Sequence, residues 1–119
     1  MRKQLSIITP HYSETAEMME SLLMGIKHQV GYDLNKIELI LVDDCGPTKV
    51  TAKDIEYMKL PFEVRFEKTK VNGGPGVARQ HAVDQAEGEW FVCIDADDLF
   101  SPDALASFQF ALDQNPNLK

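Results

Sequence analysis

The chain has 119 residues, 44% of them apolar, and a formal net charge of −7, which is enough for one domain built on one core. No basic face of the kind a duplex-binding module needs is visible, so nucleic acid is set aside as a partner, and no run of about 18 apolar residues offers a membrane span. The apolar run before Pro10 is too short for a signal-peptide core, and the two cysteines, Cys45 and Cys93, read as reduced thiols in a cytoplasmic protein.

In chain order, residues 4–9 read as a first strand, which Pro10 should end because it lacks a backbone donor. Ser13 is placed as the N-cap of a helix running to about Val30, with Glu14 and Glu17 in its first turn. Met18, Leu22, Ile26 and Val30, with Met19 and Leu23 beside them, form its apolar face, and Gly31 marks its end. Residues 37–42 form a second strand, nearly continuous in apolar residues and therefore central. Asp43-Asp44-Cys45-Gly46-Pro47 follows as a loop. A short helix is expected from Ala52 to Lys59, with Thr51 and Asp54 placed like a capping box.

Residues 62–67 alternate apolar and charged side chains, which predicts a strand with one wet face at a sheet edge. The glycine-rich stretch 71–76 permits close approach of a ligand to the backbone. A helix then starts near Pro75 or Gly76, carries the small-residue stripe Ala78, Ala82 and Ala86, and stops before Gly88. Trp90 to Ile94 is an unbroken apolar fourth strand, of the kind buried on both faces. Ser101-Pro102-Asp103 predicts a helix start, with Ser101 as N-cap, and Leu105, Phe108 and Leu112 form that helix's buried face.

Strands alternating with helices imply a parallel sheet with right-handed crossovers. The fold class expected is a three-layer αβα domain spanning residues 1–119, with about four parallel strands in the order 3-2-1-4. The alternating third strand then falls at an edge, and the switch point lies between the first and fourth strands. Ligands of open α/β sheets bind at the carboxyl ends of strands beside such a switch. That end gathers Pro10-His11-Tyr12, Asp43-Asp44 and Asp95-Ala96-Asp97. In an extended chain Asp95 and Asp97 lie on one side, about 6–7 Å apart. Carboxylates so crowded, with Asp98 adjacent, repel one another unless a cation sits among them. A divalent metal carrying phosphate oxygens resolves that repulsion.

The sequence resembles the N-terminal half of a family 2 glycosyltransferase with the GT-A fold. Four stretches carry the likeness: Ile7-Ile8-Thr9-Pro10-His11-Tyr12, Leu41-Val42-Asp43-Asp44, Asn72-Gly73-Gly74-Pro75-Gly76-Val77-Ala78-Arg79, and Ile94-Asp95-Ala96-Asp97-Asp98. The resemblance implies a nucleotide-sugar site, with a UDP-sugar as the expected donor. Pro10 and Tyr12 would line the base pocket, with His11 between them. Asp44 would accept a hydrogen bond from the base, and Gly74 and Arg79 would sit near the nucleotide. Asp95 would contact ribose or sugar. Asp97, with Asp95 beside it, would hold Mn²⁺ or Mg²⁺ on the diphosphate. The chain departs from the common family pattern at Cys45-Gly46-Pro47, where Gly-Ser is usual after the paired acids, at Gln80, where Asn is usual, and at Ser13.

The resemblance places the catalytic base and the acceptor site in a second half, so no catalytic residue is expected in this chain, and the fourth strand is expected to present an apolar edge able to pair with another copy. His28 and His81 read as surface or packing residues, and Cys45 and Cys93 as structural. Competing readings are a sugar-nucleotide pyrophosphorylase, which would need a glycine-rich loop directly after the first strand, and a dinucleotide-binding domain, whose glycine fingerprint belongs after the first strand and not the third. A phospho-receiver module would want a fifth strand. A non-catalytic assembly domain is the remaining alternative.

Overall fold

The computed structural model describes residues 4–11, 16–43, 52–68, 74–94 and 101–115, with backbone alone at 11, 16, 52, 54 and 74–79. The elements in order are strand β1 (Leu5–His11), helix α1 (Ala16–Lys27), a 3₁₀ turn (Leu34–Lys36), strand β2 (Ile37–Asp43), and helix α2 (Ala52–Ile55) continued by a 3₁₀ turn (Glu56–Met58). Strand β3 (Glu63–Lys68), helix α3 (Gly74–Gln85), strand β4 (Trp90–Cys93) and helix α4 (Ala104–Gln114) follow. The four strands form one sheet in the order β3-β2-β1-β4, and every neighbouring pair is parallel. This is the expected topology.

Side chains alternate across the sheet, and the two faces collect different cores. Leu5, Ile7, Ile37, Leu39 and Leu41 face α1 and α4, joined by Met19, Leu22, Leu23, Ile26, Met58 and Leu105. Ile8, Ile40 and Val42 face α3 through Ala82, Val83 and Ala86. Covering both faces is what a parallel sheet requires, and it explains the apolar continuity of β2, where Glu38 is the only charged residue before Asp43. Each fully buried Leu or Ile contributes about 1.5–3 kcal/mol.

Several boundaries differ from the sequence reading, each for a tertiary reason. β1 does not stop at Pro10. It runs through Pro10, in register with Val42, to His11, in register with Asp43. Ile8 O accepts from Ile94 N at 2.8 Å, so residue 8, and by alternation residue 10, turns its peptide groups toward β4. β4 ends at Cys93, and Pro10's missing donor points where that ladder has stopped.

α1 ends at Lys27, short of Val30. Val30 N donates instead to Pro102 O at 2.9 Å, and Met18 and Val30 are exposed, not buried. Gly31 has φ +75°, and a Cβ there would meet the Cβ of Ala106 at 3.1 Å, so the residue serves as a turn and as a seat for α4. The expected short helix after β2 tightens into a 3₁₀ turn, closed by Lys59 in the left-handed region at φ 49°. The Thr51–Asp54 capping box lies outside the described residues. At α4, Asp103, not Ser101, is the N-cap, and its side chain makes no capping bond.

β4 departs most from expectation. Its order in the sheet is as read, but Phe91, Val92 and Cys93 are exposed. Among the described residues β4 pairs with β1 alone, and the expected burial on both faces is not met. The structural role expected for Cys93 is likewise not one of core packing. Trp90 is held on the α4 side by an edge-to-face contact with Phe108, centroids 6.4 Å apart and planes at 81°. An apolar cavity of about 300 Å³ lies between Trp90, Val92, Ile94, Ala104 and Phe108.

Candidate functional site

Of the residues expected to bind nucleotide, Pro10 is buried within β1, and His11 is its final residue, level with Asp43 at the end of β2. Gly74 is the first residue of α3, and Arg79 lies on the same helix, described by backbone alone. Tyr12, Asp44, Asp95 and Asp97 lie outside the described residues. Their sequence neighbours are placed, and that is informative. Tyr12 follows His11, Asp44 follows Asp43, and Asp95 follows Ile94. The register His11↔Asp43 and Ile8↔Cys93 puts these three exits at one carboxyl edge of adjacent strands.

α3 runs back across the sheet from that edge. Its C-terminal end lies beside Ser6 and Glu38, near the amino ends of β1 and β2: Glu87 N donates to Glu38 Oε2 at 2.7 Å and Gly88 N to Ser6 Oγ at 2.9 Å. The first turn of α3 therefore lies toward the carboxyl edge. A helix start presents unsatisfied N–H groups and a positive partial charge, which suits an anion.

The opposite edge carries a polar cluster that the sequence reading did not single out. Glu38 is wholly buried, and Ser6 Oγ donates to its Oε2 at 2.7 Å. Arg65 Nη1 donates to Glu38 Oε1 at 3.0 Å and to Gln85 O at 2.8 Å, and approaches Glu87 at 3.4 Å. Burial pushes the Glu38 carboxyl up, but the hydrogen bonds from Ser6, Glu87 N–H and Arg65, with the Arg65 charge, outweigh it and hold it below its ordinary value. Glu38, Glu63 and Glu87 lie close enough together to suggest a cation site. Arg65 already supplies the cation, so the cluster is a clamp: it ties β1, β2, β3 and the α3–β4 turn together. The sequence signal was a lone Glu inside an apolar strand, since a buried charge requires a partner.

His28 is exposed, and His81 packs between helix and sheet, as read. His81 is half-buried on α3, and its Nε2 lies 3.3 Å from Glu67 Oε1 on β3. Glu87 is engaged by Arg65, and Asp84 accepts from Gln80 Nε2 at 3.0 Å.

A parallel sheet in the order β3-β2-β1-β4 with helices on both faces is an arrangement this chain shares with solved GT-A glycosyltransferases. The chain belongs to Glycosyl transferase family 2, whose profile matches residues 6–118. It is 30% identical over 114 residues to an uncharacterized glycosyltransferase of Haemophilus influenzae, covering 96% of this chain and 36% of that protein. Among solved structures it superposes on residues 1–349 of Staphylococcus aureus TarS in complex with UDP-GlcNAc, with TM-score 0.78 and 28% identity over 95% of this chain and 32% of that one. The mannosyltransferase PcManGT of Pyrobaculum calidifontis, in complex with GDP-Man and Mn²⁺, gives TM-score 0.78 and 28% identity over 94% of this chain and 33% of that one. The chain thus spans about a third of the length of these relatives. Family membership displaces the pyrophosphorylase, dinucleotide-binding and phospho-receiver readings. Among the described residues no helix is long and apolar enough to cross a membrane.

Proposed function

We propose that residues 1–119 form the donor-binding domain of a metal-dependent glycosyltransferase that takes a UDP-sugar. The observation that carries this is the alignment of the β1, β2 and β4 exits at one edge, from which Tyr12, Asp44 and Asp95–Asp97 follow directly in sequence. Support for a nucleotide-sugar comes from TarS with UDP-GlcNAc and PcManGT with GDP-Man and Mn²⁺.

In this reading Pro10, His11 and Tyr12 form one wall of the base pocket. Asp44 accepts from the imide N–H of uracil, which selects that base over one lacking the donor. Gly74 lets the α3 start approach the diphosphate, and Arg79 adds a positive charge beside it. Asp95 orients ribose or sugar. Asp97 and Asp95 offer only carboxylate oxygens, the hard donor set that fits Mn²⁺ or Mg²⁺. Such an ion, when bound, stabilises the charge that develops on the departing nucleoside diphosphate. No residue here is assigned as the catalytic base, which the proposal places beyond the matched third of the relatives, along with acceptor recognition.

The test is calorimetric titration of UDP into the chain, with Mn²⁺ and with EDTA, repeated on Asp97→Ala. Heat that requires metal and vanishes in the variant supports the reading. Metal-independent binding untouched by the substitution removes it. Among the described residues β4 pairs with β1 alone, and Phe91 and Val92 on it are exposed; we propose as a second, compatible property that this strand pairs with another copy of the chain.

A further inference from the structure

α3 rests on the sheet through small side chains. Ala82, Val83 and Ala86 meet Ile8, Ile40 and Val42, whereas on the other face α1 seats Met19, Leu22, Leu23 and Ile26. An alanine buries much less apolar surface than a leucine or isoleucine, so polar contacts carry more of what fixes α3. Among the described side chains these contacts begin at His81 and gather toward the carboxyl end. Arg65 Nη1, on β3, donates to Gln85 O at 2.8 Å, and Gln85 is the last residue of the helix. Just beyond it, Glu87 N and Gly88 N donate to Glu38 Oε2 and Ser6 Oγ at 2.7 and 2.9 Å.

The Gln85 carbonyl is one of those that a helix end leaves unsatisfied, and a cation beside it is favourable. Arg65 therefore grips the end of α3, and Glu38, 3.0 Å from the same Nη1, fixes that grip to β2. Arg79 lies on the same helix, three and four residues before Ala82 and Val83. At that spacing its position continues the face that α3 turns to the sheet, one turn nearer the carboxyl edge. From Ala86 back to Arg79 is about 10 Å along the axis, so a tilt of about 10° about the carboxyl end moves the backbone at residue 79 by about 2 Å. The groups of a binding site need to be held to within about 0.5 Å.

We propose that Arg65 is a positioning residue for Arg79, acting through α3. This rests on the reading of Arg79 as a positive charge beside the nucleotide. Without Arg65, the alanine contacts and the His81–Glu67 pair at 3.3 Å keep the helix docked. Its carboxyl end then loses the bond at Gln85 O, the helix tilts, and Arg79 meets the nucleotide out of place.

A double-mutant cycle tests this. UDP with Mn²⁺ is titrated by calorimetry into the wild type, Arg65→Met, Arg79→Met and the double variant. Arg79→Met is expected to weaken UDP binding about 10- to 100-fold. Arg65→Met is expected to weaken it about 3- to 30-fold when Arg79 is present, and by less than about 2-fold when it is not. Equal weakening in both backgrounds overturns the proposal, because a general loosening of the fold does not depend on Arg79. Wild-type affinity in Arg65→Met overturns it as well. If Arg65→Met folds poorly, Glu38→Gln takes its place in the same cycle, since it keeps the shape and removes the charge that holds Arg65. The single Arg79 variant separates the two claims. Wild-type UDP affinity there ends the reading of Arg79 and the role of Arg65 with it, whereas a weakened Arg79→Met beside an unaffected Arg65→Met ends the positioning role alone.

Discussion

Replacing Arg65 with methionine removes the guanidinium from Glu38 and keeps an unbranched stem over β2. The side chain of Glu38 is 0% exposed and that of Arg65 24%. Removing one partner of a buried ion pair costs about 3–5 kcal/mol. Glu38 retains its bonds from Ser6 and Glu87 N, and Arg65 is partly solvated, so about 2–3 kcal/mol is the expected loss. The pH dependence gives the sharper test. Glu38 is held below its ordinary value, and a depressed carboxyl adds stability that is complete above its unfolded-state pKa, about 4.3, and is lost as pH falls through the lower folded-state value. Methionine cancels the Arg65 share of that depression. The deficit should therefore be full near pH 7 and shrink as the pH falls below about 4. Urea denaturation at the two pH values reads it as the gap between midpoints. Equal midpoints near pH 7, or a gap just as wide in acid, would refute the clamp as described.

Gly88 is required for close approach: a Cβ there would lie 2.7 Å from Ser6 N and Ser6 Oγ. Gly88→Ala should cost about 1–3 kcal/mol in thermal or urea unfolding, and a neutral substitution would mean that the α3–β4 turn has slack. On the open edge, Phe91 is 56% exposed; Phe91→Lys should leave stability within about 0.5 kcal/mol. If β4 pairs with a second copy, the same change should lower the apparent mass in light scattering to that of a monomer, whereas an unchanged oligomer would place the contact elsewhere.

How much was readable from sequence alone follows from what each signal depends on. The sheet order came from the contrast between alternation in residues 62–67 and continuity in residues 37–42, because burial on one face or two is written into local periodicity. The same logic misled at Trp90–Cys93: apolar residues record that a strand can be covered, not that it is, and among the described residues Phe91, Val92 and Cys93 are exposed. Pro10 inside β1 was unreadable, since it depends on which neighbour its nitrogen faces and where that neighbour ends. The amide of Gln29, which bonds Ser101 and Leu105, left no local trace, because those partners lie 72 and 76 residues away. The small-residue stripe of α3 was legible and is seen at Ala82 and Ala86. The acidic loops were legible as chemistry, and the structure places their points of departure together; the side chains of Asp44, Asp95 and Asp97 lie outside the described residues.

Asp44 and Asp95–Asp97, the proposed metal-site acids, follow in sequence strands that end at one edge of the sheet, and the Glu38–Arg65 clamp lies toward the other. Paramagnetic Mn²⁺ separates them, because it broadens the amide signals nearest to it. The most direct measurement is therefore amide NMR of the chain titrated with Mn²⁺ in the presence of UDP. Broadening centred on His11, Asp43, Ile94 and the first turn of α3 is the predicted result. Broadening centred on Ser6, Glu38, Glu63 and Gly88 would contradict it and move the cation to the other edge.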